Sequence, residues 1–416
     1  MIYLYIYIYY IFLVSLSSIN LNFITISEWK FPVLIFIFFT FLILKNIQNL
    51  EELVLHFTVL LGSSIIICTD HLFILYLSLE LQTFSLFILI SKNKLWLKSS
   101  EAGLKYFILG AISSGFLLIS FVIIYFYTNS LNVKTISFNI WYNDTILNIA
   151  LFILIVSLFF KISLSPLHFW IPDIYEGSSW RTIGFLGVLS KISVIYFLIQ
   201  FKELNNLFIF CSILSIVIGT LGALNQTKVK RLLAYSGITH IGFIILISSI
   251  YNNKGFLISN IYLFIYFLSF LSVILVLQSY AMSKNNYIIE LSNLQYLNKL
   301  LAISFLIITL SMAGIPPLSG FISKWLVLWV IIEEGYLVTA LICIFFSVIG
   351  AVYYLRLVKI IYFQKGSSFI HWKNIFNSKE DMNYYFVGFS IFFIIVLIIK
   401  PNFVFSFFIL KSNLLI

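Results

Sequence analysis

The chain has 416 residues, 62% of them hydrophobic and only 10% charged, where soluble domains carry about 45–50% and about 25%. That excludes a set of water-soluble domains and leaves a polytopic membrane protein. The net charge of +10 is not a nucleic-acid footprint, because its position follows the topology below, and Cys68, Cys211 and Cys343 lie far apart with no CxxC pair, so neither a disulfide framework nor a zinc site is indicated.

A spanning helix needs about 20 apolar residues. Thirteen segments qualify, at residues 2–19, 31–45, 53–69, 72–90, 103–128, 146–171, 182–200, 207–225, 230–250, 256–282, 300–332, 337–364 and 384–411. The runs are continuous and lack the ten-residue alternation of barrel strands, so the fold class is all-α, with helices that satisfy their own backbone in lipid. The start, MIYLYIYIYYIFLV, has no basic leader and reads as a first membrane helix, not a cleaved presequence. Abundant Phe (45) and Tyr (25) with few Pro (6) fit an AT-rich coding source such as an organelle genome. The connections are short, the longest polar ones being 129–145 and 365–383, and no inserted soluble domain offers room for a nucleotide, flavin or iron–sulfur site.

Charge counting tests this layout. From the loop after the fourth segment onward, one set of alternate loops holds Lys92, Lys94, Lys98, Lys105, Arg181, Lys228, Lys230, Arg231, Lys284, Lys299, Arg356, Lys359, Lys365, Lys373 and Lys379. The other holds Lys134, Lys202 and Lys254, with the acidic pair Glu333 and Glu334. The rich side is the compartment of synthesis, and it forms a polybasic face beside anionic headgroups.

A few ionisable residues sit inside the apolar segments: Glu80 in LFILYLSLELQTFSLFILI, Lys161 in SLFFKISLSPLHFW, Lys191 in FLGVLSKISVIYFL, His240 in AYSGITHIGFIIL, and Lys324 in the second half of segment 300–332. At mid-bilayer each full charge costs about 2.5–3.5 kcal/mol, roughly 10–14 kcal/mol for Glu80 and the three lysines together if unrelieved. That rivals a whole folding free energy, so pairing or hydration must relieve it. A lysine held between desolvation, which favours the neutral amine, and a carboxylate, which favours the ammonium, can load and release a proton. Any one of these residues alone could be a static salt-bridge partner or could snorkel. A static role for all of them on separate helices is harder to sustain, although for His240 a neutral ring donating to a backbone carbonyl serves equally well.

Proline supplies the second signal. Pro166 follows Lys161 by five residues, and Gly314-Ile315-Pro316-Pro317 precedes Lys324. Proline removes an amide donor and clashes with the preceding turn, so both helices should break near mid-membrane. Such breaks are tolerated only where they line a hydrated or protein-packed cavity. Two interrupted helices, each with a lysine beside the break and in reversed order, suggest an inverted-repeat transporter architecture.

With these residues in place the chain resembles the antiporter-like proton-pumping subunits of respiratory complex I, most closely the subunit 2 type with its bacterial subunit N counterpart. The matching stretches are LYLSLELQTFSLFIL, SSEAGLKYFILGAISSGFLL, FKISLSPLHFWIPDIYEGS, LSKISV, VKRLLAYSGITHIGF, SMAGIPPLSGFISKW and SVIGAVYYLRLVK, in family order from about residue 70 to 360. The resemblance implies that Glu80 is the glutamate that pairs with Lys161 on the first broken helix, that Lys191 leads to the central proton route, that His240 lies on the helix between two half-channels, and that Lys324 is the terminal charge on the second broken helix. It implies N-terminal helices over 1–71, a first antiporter-like repeat over 72–200, a second over 201–364, and a C-terminal loop and last helix over 365–416.

The resemblance also implies a multi-pass place in the mitochondrial inner membrane and no cofactor in this chain, with FMN, iron–sulfur clusters and ubiquinone in partner subunits. The partners implied are the membrane-arm subunits of the 4 and 4L types, the lateral helix of subunit 5, accessory subunits and lipids of the cardiolipin kind, with no nucleic acid. The family usually has fourteen spans and a Ser-Pro-Thr-Pro run after the position of Glu176, where this chain reads Gly177-Ser178-Ser179-Trp180-Arg181-Thr182. The nearest rival is an Mrp-type cation/proton antiporter subunit with the same helical core and no redox coupling. A spacer with static charges and a solute transporter of another fold are more distant alternatives.

Overall fold

The computed structural model describes residues 50–93, 96–133, 135, 145–199, 205–250, 253–280, 282, 285–364 and 381–399. The expected spans at 2–19 and 31–45, and the end of that at 384–411, lie outside these residues. Among the described residues thirteen helices of eight residues or more follow in order: α1 (Leu50–Cys68), α2 (Leu72–Ile90), α3 (Leu97–Thr128), α4 (Thr145–Ile162), α5 (Trp170–Gly177), α6 (Trp180–Leu198), α7 (Asn205–Leu224), α8 (Val229–Ser248), α9 (Asn253–Ser279), α10 (Lys299–Ala313), α11 (Ser319–Glu333), α12 (Leu337–Phe363) and α13 (Asp381–Ile399), with short helical turns at Ile288–Asn293 and Leu294–Leu297 before α10. Among the described residues nine are long and apolar enough to cross a membrane, and pairing outside the helices is limited to two single bridges, His71 with Asn132 and Lys228 with Tyr287.

Both proline segments break their helices. In the first, α4 stops at Ile162 and helical structure resumes at Trp170. Ser163 adopts a left-handed conformation (φ 63°), and the Trp170 indole turns back to donate at 3.2 Å to the Phe160 carbonyl, which also accepts the Ser163 N–H at 3.0 Å. In the second, α10 ends at Ala313, Gly314 takes the left-handed cap (φ 82°), and α11 begins at Ser319. Segments 146–171 and 300–332 are therefore each two half-helices.

Burial sorts the helices into an inside and an outside. Of the membrane-length windows, 94% of residues are buried in α6, 83% in α8 and 89% in α9, against 33% in α3 and 28% in α12. The outer faces of α3 and α12 are apolar, with Val122, Phe126, Leu341 and Phe345 largely exposed. On a membrane protein such faces meet lipid or neighbouring helices. The α7–α8, α1–α2 and α3–α4 pairs pack most extensively. In the first, Gly219 and Gly242 allow the close approach: a Cβ at Gly242 would lie 2.1 Å from the Ser215 hydroxyl.

Candidate functional site

Lys191 and His240 lie on two of the most buried helices, α6 and α8, and the helix breaks position Lys161 and Lys324. Lys161 occupies the last turn of α4, where the carbonyl end of the half-helix macrodipole favours a cation. Lys324 reaches the equivalent place from the other direction: it sits on α11 and donates from Nζ to the Ala313 carbonyl, the last of α10, at 2.7 Å. Gly314 makes room for it, since a Cβ there would lie 2.8 Å from Lys324 Cδ. The two lysines thus share one environment, the carbonyl end of a broken helix.

Glu80 lies on α2, and its Oε2 accepts a bond from Thr83 Oγ1 at 3.3 Å. Its charge acts on Lys161 through space, but among the described residues the two do not close to the 4.0 Å of an ion pair. Lys191 is 1% exposed on α6. Its Nζ lies 5.8 Å from the centre of the Tyr175 ring. It faces Gly237 on α8, where a Cβ would stand 3.7 Å from that nitrogen and 3.2 Å from the Tyr266 hydroxyl. One turn before Lys191 the helix widens into a π turn, Phe185–Leu189, a local irregularity that recurs at functional sites. Helices α4 and α6 are packed together, and no hydrogen bond joins Lys161 to Lys191 among the described residues.

His240 is the best-connected of the five. Its ring stacks on Tyr266 with centroids 4.5 Å apart. Nδ1 bonds the Tyr262 hydroxyl at 2.9 Å, and Nε2 bonds the Tyr354 hydroxyl at 3.1 Å. The Tyr354 ring packs against that of Tyr353, with centroids 4.4 Å apart. On its other side His240 lines a cavity of about 10 Å³ with Tyr262, Tyr266, Ser269, Ser311 and Ser323. About 10–15 Å³ by this measure holds one water when several polar groups surround it. The cavity separates His240 from the helix that carries Lys324, whose charge acts on the ring.

Sequence reasoning missed the tyrosines. Tyr262 and Tyr266 stand four apart on one helical face, which is a usable signal, but aromatic residues in an apolar run read as core. It also missed the ionic cluster at the basic end. There Glu176 Oε1 receives Lys98 at 2.7 Å and Lys228 at 2.5 Å, and Oε2 receives Arg231 at 2.6 Å. Asp173 receives Arg231 at 2.6 Å and Lys105 at 2.7 Å. Burial alone would raise the Glu176 carboxyl, but the hydrogen bonds from Lys228 and Lys98, with the Arg231 charge, hold it down at about 2. This cluster ties α3, α5 and α8 together. Lys254 pairs with Glu333 at 3.2 Å, so these ion pairs stay within the two sets of loops that the charge count separates. Among the described residues no group of His, Cys, Asp and Glu could hold a metal ion.

Comparison with known proteins gives the family and the fold. Residues 69–350 match the family described as NADH:quinone oxidoreductase/Mrp antiporter, TM. NADH-ubiquinone oxidoreductase chain 2 of Metridium senile is 36% identical over 372 residues, covering 84% of this chain and 93% of the relative. NADH-quinone oxidoreductase subunit N of Pelagibacter ubique is 36% identical over 328 residues, covering 76% and 69%. Among solved structures, a chain of respiratory complex I from Thermus thermophilus superimposes with a TM-score of 0.80 at 26% identity, covering 91% of this chain and 85% of that one. A chain of the Mrp complex from Dietzia sp. has the same fold at 21% identity, with a TM-score of 0.70 over 75% and 61%.

Proposed function

The chain belongs to the NADH:quinone oxidoreductase/Mrp antiporter transmembrane family, and we propose that it is the subunit 2 type of proton-translocating membrane-arm subunit in respiratory complex I, resident in the mitochondrial inner membrane. The Mrp reading is the weaker one, since the Mrp chain is 21% identical and covers 75% of this chain, while the chain 2 relative is 36% identical over most of both chains. On this reading the oxidation of NADH and the reduction of ubiquinone take place in partner subunits. This chain contributes the proton step.

The observation that carries the proposal is the polar string from Lys191 on α6 past Tyr266 on α9 to His240 on α8 and the small cavity, which Ser323 of α11, next to Lys324, also lines. Glu80 steadies the Lys161 ammonium through space. When that support weakens, the Lys161 proton passes to Lys191, then by way of the Tyr266 and His240 layer to Lys324 at the second break. Moving one charge against 100 mV costs about 2.3 kcal/mol. A one-unit change in pKa supplies only about 1.4 kcal/mol, so each transfer needs a change of one to two units, set by the charge state of its neighbour.

The test is Lys161→Ala and Glu80→Ala in the assembled complex, with protons moved per NADH oxidised measured in sealed vesicles. A severalfold fall with normal assembly is expected. Unchanged stoichiometry would count against the pathway. Replacing Glu80 by Gln and Lys161 by Met together separates this reading from a static spacer, which would keep pumping intact. Co-purification of the chain with flavin and iron–sulfur proteins separates complex I from a stand-alone antiporter.

A further inference from the structure

A polar space apart from the lysine row lies at the basic end of the protein. It is a cavity of about 370 Å³ whose walls include Glu52 of α1, Lys92 and Asn93 after α2, Arg181 and Thr182 of α6, and Gln278 of α9. That volume falls in the range of small-molecule sites, about 300–1,000 Å³. Among the described residues that line it, Lys92 and Arg181 are the cations and Glu52 is the carboxylate. Glu52 is paired with Lys92, so the walls carry an excess of positive charge. The amides of Asn93 and Gln278 bring N–H donors suited to oxygen acceptors. Ser179 to Thr182 form one wall. They are the cap and first turn of α6, where the N–H end of a helix favours an anion. This wall is braced. Ser179 Oγ accepts the Thr182 N–H at 3.3 Å. Lys230 of α8, itself buried, donates to the Ser178 carbonyl at 2.6 Å, and its Nζ lies 5.0 Å from the centre of the Trp180 ring. Arg181 therefore stands on a fixed turn, in the stretch where this chain departs from the Ser-Pro-Thr-Pro run.

We propose that this cavity binds a phosphate group, carried by an anionic phospholipid or free in solution, with Arg181 and Lys92 as its two cations. The site stands apart from the proton step proposed above. Arg181 offers a planar fork of N–H donors that matches two phosphate oxygens, and Lys92 adds a point charge from a second helix. Glu52 opposes the anion and restrains Lys92, which sets a limit on affinity. The surroundings suit a lipid. The cavity sits at the end of the protein that carries the polybasic face, where anionic headgroups gather. One and two turns before Lys92, Ile88 and Phe84 lie exposed on α2, an apolar track for an acyl chain whose headgroup reaches the cavity.

The test uses assembled complex, stripped of lipid and reconstituted in phosphatidylcholine vesicles that contain phosphatidylglycerol with a photoreactive headgroup. Cross-links should concentrate in residues 88–93 and 179–182. Arg181→Gln should cut that yield by about tenfold, as expected for losing a hydrogen bond to a charged group. Lys92→Gln should repeat the loss from a second helix, so the result does not hang on one variant. Arg181→Lys should keep most of the yield, and Glu52→Gln, which removes the opposing carboxylate, should raise it severalfold. Lys359→Gln, an exposed base elsewhere on the same face, should leave it unchanged. A second arm adds inorganic phosphate to complex in phosphatidylcholine alone and follows hydrogen exchange over residues 179–184. Slower exchange that Arg181→Gln abolishes assigns the site to free phosphate. Cross-linking that depends on Arg181 and that phosphate does not displace assigns it to the lipid. The proposal is overturned if neither arm depends on Arg181, if Lys359→Gln lowers cross-linking as much as Arg181→Gln does, or if Glu52→Gln lowers it.

Discussion

His240 shows how much a single side chain depends on partners far away in sequence. Its two nitrogens are held by Tyr262 and Tyr354, 22 and 114 residues distant. Leaving a buried polar group unpaired costs about 1–3 kcal/mol, so Tyr262→Phe or Tyr354→Phe should each lower pumping by a few-fold, and the double variant should lower it by more than the product of the two. Proton stoichiometry in vesicles checks this, with far less effect expected from Tyr296→Phe, whose ring is 61% exposed. At Glu80 charge matters more than reach, because it acts on Lys161 without contact. Glu80→Asp should keep a substantial part of the pumping and Glu80→Gln very little. The lysines were legible because a charge in an apolar run stands out. The tyrosines that organise His240 were not, because their meaning comes from packing between helices that are separate in the chain.

The broken helices were the most legible elements, since proline chemistry is local. Pro166 and Pro316-Pro317 stop α4 and α10 as that chemistry requires. The sequence did not reveal that Lys324 doubles back to the carbonyl end of α10, which depends on the angle between the half-helices. Two glycines isolate that contact. Gly314 and Gly335 share φ 82°, but a Cβ at Gly314 would press on Lys324 while one at Gly335 would meet nothing within 4 Å. Gly314→Ala and Gly335→Ala should therefore carry the same backbone strain of about 1–2 kcal/mol, and only Gly314→Ala should also impair pumping. Equal pumping in the two variants would show that the position of Lys324 is not critical. The π turn before Lys191 had no sequence signal: FLGVLSKISV reads as an ordinary helix, and the extra residue per turn comes from packing.

At the scale of the whole molecule the charge count separated the two faces, but not the way its basic side is fastened. Glu176 and Asp173, on the half-helix after the first break, gather Lys98, Lys105, Lys228 and Arg231 from α3 and from the start of α8 and the loop before it. Glu176 is held at about 2 against an ordinary value of 4.5. A depressed carboxyl stabilises the fold above its unfolded pKa and loses that contribution as pH falls through its folded one. Acidification from about 4.5 toward about 2 should therefore loosen this corner. Hydrogen exchange over residues 170–184 should accelerate across that window in the native complex, and Glu176→Gln should be fast already at neutral pH.

The space between His240 and the serines of α10 and α11 is small, about 10 Å³. A link completed by one molecule is also cut by the departure of one molecule. A flooded duct would let the gradient drain backward between turnovers, whereas a space of this size has room for a single water and no continuous file.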